Sequence, residues 1–131
     1  MKTSNHPLPW RLIVGDVITY LLVTLIGFSS HDTLALGSLP RMLATFIPFT
    51  VSWFVVAPWL GIFDDAFISR RFYFARVLLA TTLTAPVGAF LRGLWLGTPI
   101  LPTFVLVMMA MTSALMVAWR LVHRFVKARI K

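Results

Sequence analysis

Cysteine is absent from this chain of 131 residues, and only four residues are acidic. The first absence excludes disulfides and thiolate metal sites, and leaves the redox state of the compartment unread. Charge of either sign is scarce. Charged residues make up 12% and hydrophobic residues 59%, with mean hydropathy +0.87. A soluble domain is roughly 45–50% apolar and about 25% charged, so water is not the solvent that this composition suits. His-Glu-x-x-His, Gly-x-Ser-x-Gly and a Gly-rich phosphate loop are missing as well. The chain therefore carries no signature of a zinc protease, a serine hydrolase or a nucleotide enzyme. The expectation is a protein that is not an enzyme and takes no cofactor.

What the chain has is long apolar runs. Leu12 to Phe28 is broken only by Asp16, Met42 to Phe63 holds no charge over 22 positions, Val77 to Leu91 lies between Arg76 and Arg92, and Ile100 to Trp119 is uncharged. About 20 helical residues cross a bilayer core of about 30 Å, and arginines at helix ends can snorkel to lengthen a short run. The expected fold is all-α: a polytopic membrane protein, a single domain built as a bundle of four transmembrane helices. They are expected at about residues 10–28, 40–63, 74–94 and 100–122, followed by a basic C-terminal tail over 123–131. The first run is read as a retained helix, because Asp16 breaks the apolar core that a signal peptide needs and no clear small-x-small cleavage site follows.

Basic residues set the orientation. Ten lie on one side of the four runs: Lys2, Arg11, Arg70, Arg71, Arg76, Arg120, Arg124, Lys127, Arg129 and Lys131. Only Arg41 and Arg92 lie on the other. Short loops rich in Lys and Arg stay inside, so both termini are expected to be cytoplasmic and the protein multi-pass in the cytoplasmic (inner) membrane. Trp10, Trp59 and Trp119 fall at the inner boundary and Trp95 at the outer, as interfacial aromatics do. The net charge of +8 does not argue for nucleic acid, since the basic residues bracket apolar spans and do not cover one face of a soluble scaffold. A faint repeat relates Gly27, Leu36-Gly37-Ser38 and Pro40 to Gly88, Leu96-Gly97-Thr98 and Pro102. Duplication and ordinary turn chemistry both account for it.

Asp16 is the one acid inside a span, and a carboxylate at a helix centre costs about 2.5–3.5 kcal/mol on insertion scales. Thr19 and Tyr20 lie three and four residues on, and Arg76 and Arg120 stand at the same end of other helices. Two readings stay open: a proton or cation site on a permeation path, or a structural ion pair, which the shallow depth and available partners favour. At the outer end Ser30, His31, Asp32, Arg41 and Arg92 gather. One His with one Asp is too few for a stable metal site, and no histidine lies near mid-membrane to hold a haem. Met108, Met109, Met111 and Met116 read as flexible apolar filler before they read as copper ligands. Ala110, Ala114 and Ala118 form a small-residue stripe, as do Thr81, Ala85 and Ala89, and more loosely Gly15, Thr19, Val23 and Gly27. Such stripes admit a close neighbouring backbone, from the same chain or another. Pro48, Pro58 and Pro86 fall inside spans and are expected to kink them.

Gly15-Asp16, Ile26-Gly27 with Ser30-His31, and Pro48-Phe49 followed by Trp53 and Pro58 together resemble a prokaryotic family of four-helix integral membrane proteins of unknown function, domain of unknown function 3054. The likeness covers essentially the whole chain, and Ser52 stands where the family pattern has Gly. It implies the same four-helix architecture, draws attention to Asp16, His31 and Trp53, and supplies no activity. The expected function is that of a non-catalytic membrane protein working through helix packing, as a homo-oligomer or an accessory subunit of a larger membrane complex. Its expected partners are the lipid bilayer and copies of itself or other membrane subunits. The alternative is a small ion or solute permease or channel of more than one copy, with Asp16, His31 and Trp53 on the path.

Overall fold

The computed structural model of the chain describes residues 9–30, 36–68 and 70–130, and among them every regular element is helical. Helix α1 spans Trp10–Ser30, and a 3-10 turn at Leu36–Ser38 leads into α2, Leu39–Val56, which tightens into a second 3-10 turn at Ala57–Leu60. A four-residue helix α3, Asp65–Ile68, precedes α4, Tyr73–Leu96, and α5, Pro102–Ile130. Among the described residues, four helices are long and apolar enough to cross a membrane: α1, α2 with its 3-10 continuation, α4 and α5.

Local chemistry explains the ends. Pro40 lies in the first turn of α2, where a missing amide donor costs a helix little. Pro58 lacks the N–H that would bond back to Phe54, and the α-helix gives way to the 3-10 turn there. Gly97 stops α4 in the left-handed region at φ 64°, its N–H donating to Gly93 O, a conformation that glycine adopts without a Cβ penalty. Gly37, its counterpart in the faint sequence repeat, is not in that region, so the two turns are built differently. The basic residues expected as a tail beyond about 122 continue α5 to Ile130 instead. No Gly or Pro interrupts it, and Lys127 and Arg129 in the last turn suit the negative end of the helix dipole.

The four long helices form a ring: α1 packs on α2 and α5, and α4 packs on α2 and α5, with the α2–α4 contact the most extensive. Trp10 and Lys127 line one groove, so α1 begins and α5 ends at the same end of the bundle. Leu12, Val23, Phe49, Trp53, Val77, Met108 and Met116 fill the centre. The outside is apolar too, with Ile18, Leu22, Val51, Val55, Leu79, Leu83, Leu106 and Val107 exposed. Polar groups are turned inward: Asp16, Thr19, Thr45, Ser52, Thr81, Thr84, Thr112 and Arg120 are buried. Such a distribution suits hydrocarbon, where an apolar exterior costs nothing and each polar group needs an internal partner. Thr19, Ser52 and Thr84 donate to the carbonyls of Gly15, Pro48 and Ala80 at 2.7 Å each. Between helices, the hydroxyls of Thr81 and Ser113 join α4 to α5 at 2.7 Å.

Arginines tie the α2–α4 connector to the bundle. Arg76 Nη1 donates to Leu60 O at 3.0 Å and its guanidinium lies 4.0 Å from the Phe67 ring centroid. Arg124 Nη2 donates to Ile68 O at 2.7 Å, and the Tyr73 hydroxyl to Ile62 O at 2.9 Å. Both guanidiniums thus reach carbonyls at the ends of short helical turns, where orphan acceptors collect.

Candidate functional site

The strongest concentration of buried polar chemistry sits where α1, α2 and α5 meet. Asp16 falls on the seventh residue of α1, roughly 9 Å along the axis from Trp10 at 1.5 Å per residue, and is fully buried. Its Oδ2 accepts from Arg120 Nη2 at 2.8 Å and from Trp53 Nε1 at 2.8 Å. Three helices are thereby joined through one carboxylate oxygen. Arg120 is 2% exposed, although it directly follows an uncharged run in the sequence. It lies on the face of α5 that carries Met108, Thr112 and Met116 at four-residue intervals, all of them buried.

Aromatic rings wall the pair. Tyr20 packs against Trp53 with ring centroids 6.0 Å apart, and the Arg120 guanidinium lies 5.8 Å from the Phe63 ring centroid. Trp119 fits over Gly15, where a Cβ would overlap the indole; only glycine allows α5 this close to α1. Several atoms of the cluster make no hydrogen bond among the described residues: Asp16 Oδ1, Arg120 Nε and Nη1, Tyr20 Oη and Trp119 Nε1. Lone polar groups of this kind are costly in a low-dielectric interior, so the cluster combines a satisfied ion pair with unused donors and one unused acceptor.

Of the residues singled out in the sequence, Asp16, Tyr20 and Trp53 come together here, while the Thr19 hydroxyl donates to the Gly15 carbonyl of its own helix. Arg76 does not join them; it turns to Leu60 and Phe67 on the connector, and Arg120 takes the carboxylate. Arg92 lies at the far end of α4, donating through Nε to Thr45 Oγ1 at 2.9 Å. His31 and Asp32 lie outside the described residues. Ala85 and Ala89 are buried within the bundle, whereas Ala110, Ala114 and Ala118 are exposed on α5. Gly27 has open space where a Cβ would stand. Pro48 and Pro86 lie inside α2 and α4.

Trp119 and Phe63 join the cluster without a local signal in the sequence. Trp119 reads as an interfacial aromatic at the end of an apolar run, and nothing local distinguishes an indole facing lipid from one facing Gly15. A clue does exist for Arg120, which extends the four-residue series Met108, Thr112, Met116. Among the described residues, no group of three or more metal-ligating side chains gathers.

A family model matches residues 13–123, which include Asp16, Trp53 and Arg120. The chain belongs to the family described as Protein of unknown function (DUF3054). No curated protein and no solved structure matches it. The matched stretch takes in all four long helices at least in part, so membership concerns the bundle as a whole. Ser52 is buried beside Trp53, and its hydroxyl bonds to the backbone of its own helix.

Along the α1–α5 seam, at the end where Trp10 and Lys127 meet, runs an open groove of about 920 Å³. Val14, Ile18 and Leu22 line it from α1, and Leu115, Ala118 and Val122 from α5. Ala118 is thus at once the last residue of the exposed alanine stripe and part of the groove wall.

Proposed function

We propose that this protein is a small integral membrane protein that acts without catalysis, through helix packing, as a homo-oligomer or as an accessory subunit of a larger membrane complex. It resides in the cytoplasmic membrane with both termini inside. The observation that carries this reading is the outward-facing stripe Ala110, Ala114 and Ala118. Facing lipid alone, alanine gives a helix no packing advantage over leucine, but toward another helix it lets the two backbones approach closely. The adjoining groove along the α1–α5 seam extends the same surface. The one acid within the spans is neutralised inside the chain by Arg120, which supports a structural part for it. Native mass spectrometry after purification in mild detergent tests the proposal. An oligomer or a stoichiometric partner is expected, and a strictly monomeric species with nothing bound would count against it.

A second reading has its own support. The unused donors and acceptor around Asp16 and Arg120 are of the kind that serve water or a proton along a permeation path, which would make the chain a small permease or channel. Flux into liposomes carrying wild type or Asp16→Asn decides it: a large fall on substitution favours the path, and equal flux removes Asp16 from any such mechanism.

A further inference from the structure

Two arginines share a pocket at the end of the bundle away from the termini, and the structural roles found so far leave that pocket unexplained. It holds about 300 Å³ and reaches from Arg41 and Ser38 on the α2 side to Arg92 on α4 and Phe104, Val107 and Met111 on α5. Arg92 is held in place: its Nε donates to Thr45 Oγ1 at 2.9 Å, and its guanidinium lies 4.5 Å from the Phe104 ring centroid. That arrangement engages one of five N–H groups, and among the described residues the Nη atoms have no hydrogen-bond partner. Arg41 is exposed and lines the same pocket as Arg92. Among the described lining residues there is no acid, so within that set two like charges face one cavity and no carboxylate answers them.

Like charges held together are unfavourable unless an anion lies between them. A guanidinium fork matches the oxygens of a phosphate better than it matches a halide or a point charge. The rest of the wall is apolar, from Val23 and Phe28 round to Phe104, Val107, Met108 and Met111, and such a wall does not suit a bare, fully hydrated ion. We propose that Arg41 and Arg92 form a binding site for a phosphate group carried on an apolar body, with the guanidiniums on the phosphate and the body against Phe104, Val107 and Met111. Ser38, the N-cap residue of α2, makes no side-chain capping bond and lines the same pocket, which adds to the site without being needed for it. The inference is independent of how the chain assembles.

An anionic phospholipid and a free organic phosphate with a short hydrocarbon tail present the same chemistry. Titration calorimetry on the purified full chain in neutral detergent separates them, using short-chain phosphatidylglycerol, short-chain phosphatidylcholine, hexyl phosphate and inorganic phosphate as probes. Hexyl phosphate is expected to bind more tightly than inorganic phosphate, and Arg41→Gln and Arg92→Gln each to weaken it about tenfold or more, as loss of a charge-assisted hydrogen bond does. Arg11→Gln, at the opposite end, is expected to change nothing. Phosphatidylglycerol binding more tightly than hexyl phosphate and phosphatidylcholine identifies the site with lipid; binding no tighter than hexyl phosphate identifies it with a soluble amphiphile. Arg41 is exposed and its side chain has no described bond, so Arg41→Gln keeps the test valid if Arg92→Gln disturbs the fold. The proposal is overturned if neither phosphate compound binds wild type, or if a folded Arg41→Gln variant binds them as tightly as wild type does.

Discussion

Arg120 Nη2 and Asp16 Oδ2 lie 2.8 Å apart across 104 residues of sequence, fastening the last long helix to the first and closing the ring. Both side chains are sealed from the surroundings, so neither can turn outward if its partner is lost. Removing one member of a buried pair typically costs about 3–5 kcal/mol, because a charge is left uncompensated. Asp16→Asn and Arg120→Met are each expected to lower thermal stability in detergent strongly. The double variant Asp16→Leu with Arg120→Met is expected to be less damaged than the sum of the corresponding single variants. Additive losses in such a cycle would show that the contact does little for the fold.

Trp53 touches the same carboxylate oxygen from α2. Trp53→Phe preserves most of the ring volume and removes the Nε1 donor, a hydrogen bond to a charged group worth about 1.5–3 kcal/mol. The expected loss is within that range, measured by denaturant unfolding in micelles. In an Asp16→Leu background Trp53→Phe should cost clearly less, since the acceptor is already gone.

Two glycines of α1 should respond oppositely. A Cβ at Gly15 overlaps the Trp119 indole, whereas one at Gly27 meets nothing within 4 Å. Gly15→Ala is expected to force α5 away from α1 and destabilise the bundle. Gly27→Ala should be neutral or stabilising by up to about 1 kcal/mol through helix propensity. Melting curves of the two variants side by side check the contrast.

Orientation is testable because the chain has no cysteine of its own. With both termini inside, Lys127→Cys should react with an impermeant maleimide only after the membrane is opened, and Thr98→Cys before. The reverse pattern would invert the topology that the ten-to-two distribution of basic residues predicts.

The number and place of the long helices could be read from the sequence because apolar runs near bilayer length, two of them uncharged throughout, suit little besides a membrane span. The facing of those helices could not. With apolar residues on both the inside and the outside, periodicity carries little information about which side is buried. Ala110, Ala114 and Ala118 read equally well as an internal or an external packing stripe. The buried series Met108, Thr112, Met116 and Arg120 is displaced from it by two residues, about 200° around the helix at 3.6 residues per turn. Asp16 announced its need for a partner, since a buried carboxylate must find one. The choice of Arg120 over Arg76 depended on the connector, whose Leu60 carbonyl and Phe67 ring engage Arg76 first. Trp119 stayed hidden because its role exists only once Gly15 is brought against it.

Disulfide cross-linking of single cysteines in native membranes tests the helix-packing function most directly. Ala114→Cys should give an oxidised species of about twice the 14.8 kDa of the chain if the protein self-associates, or a covalent adduct to one defined heavier protein under a bifunctional cross-linker if it serves another complex. Leu83→Cys, exposed on α4, should give neither. If Ala114→Cys stays as monomeric as Leu83→Cys under both treatments, the alanine face of α5 meets only lipid and the packing role is wrong.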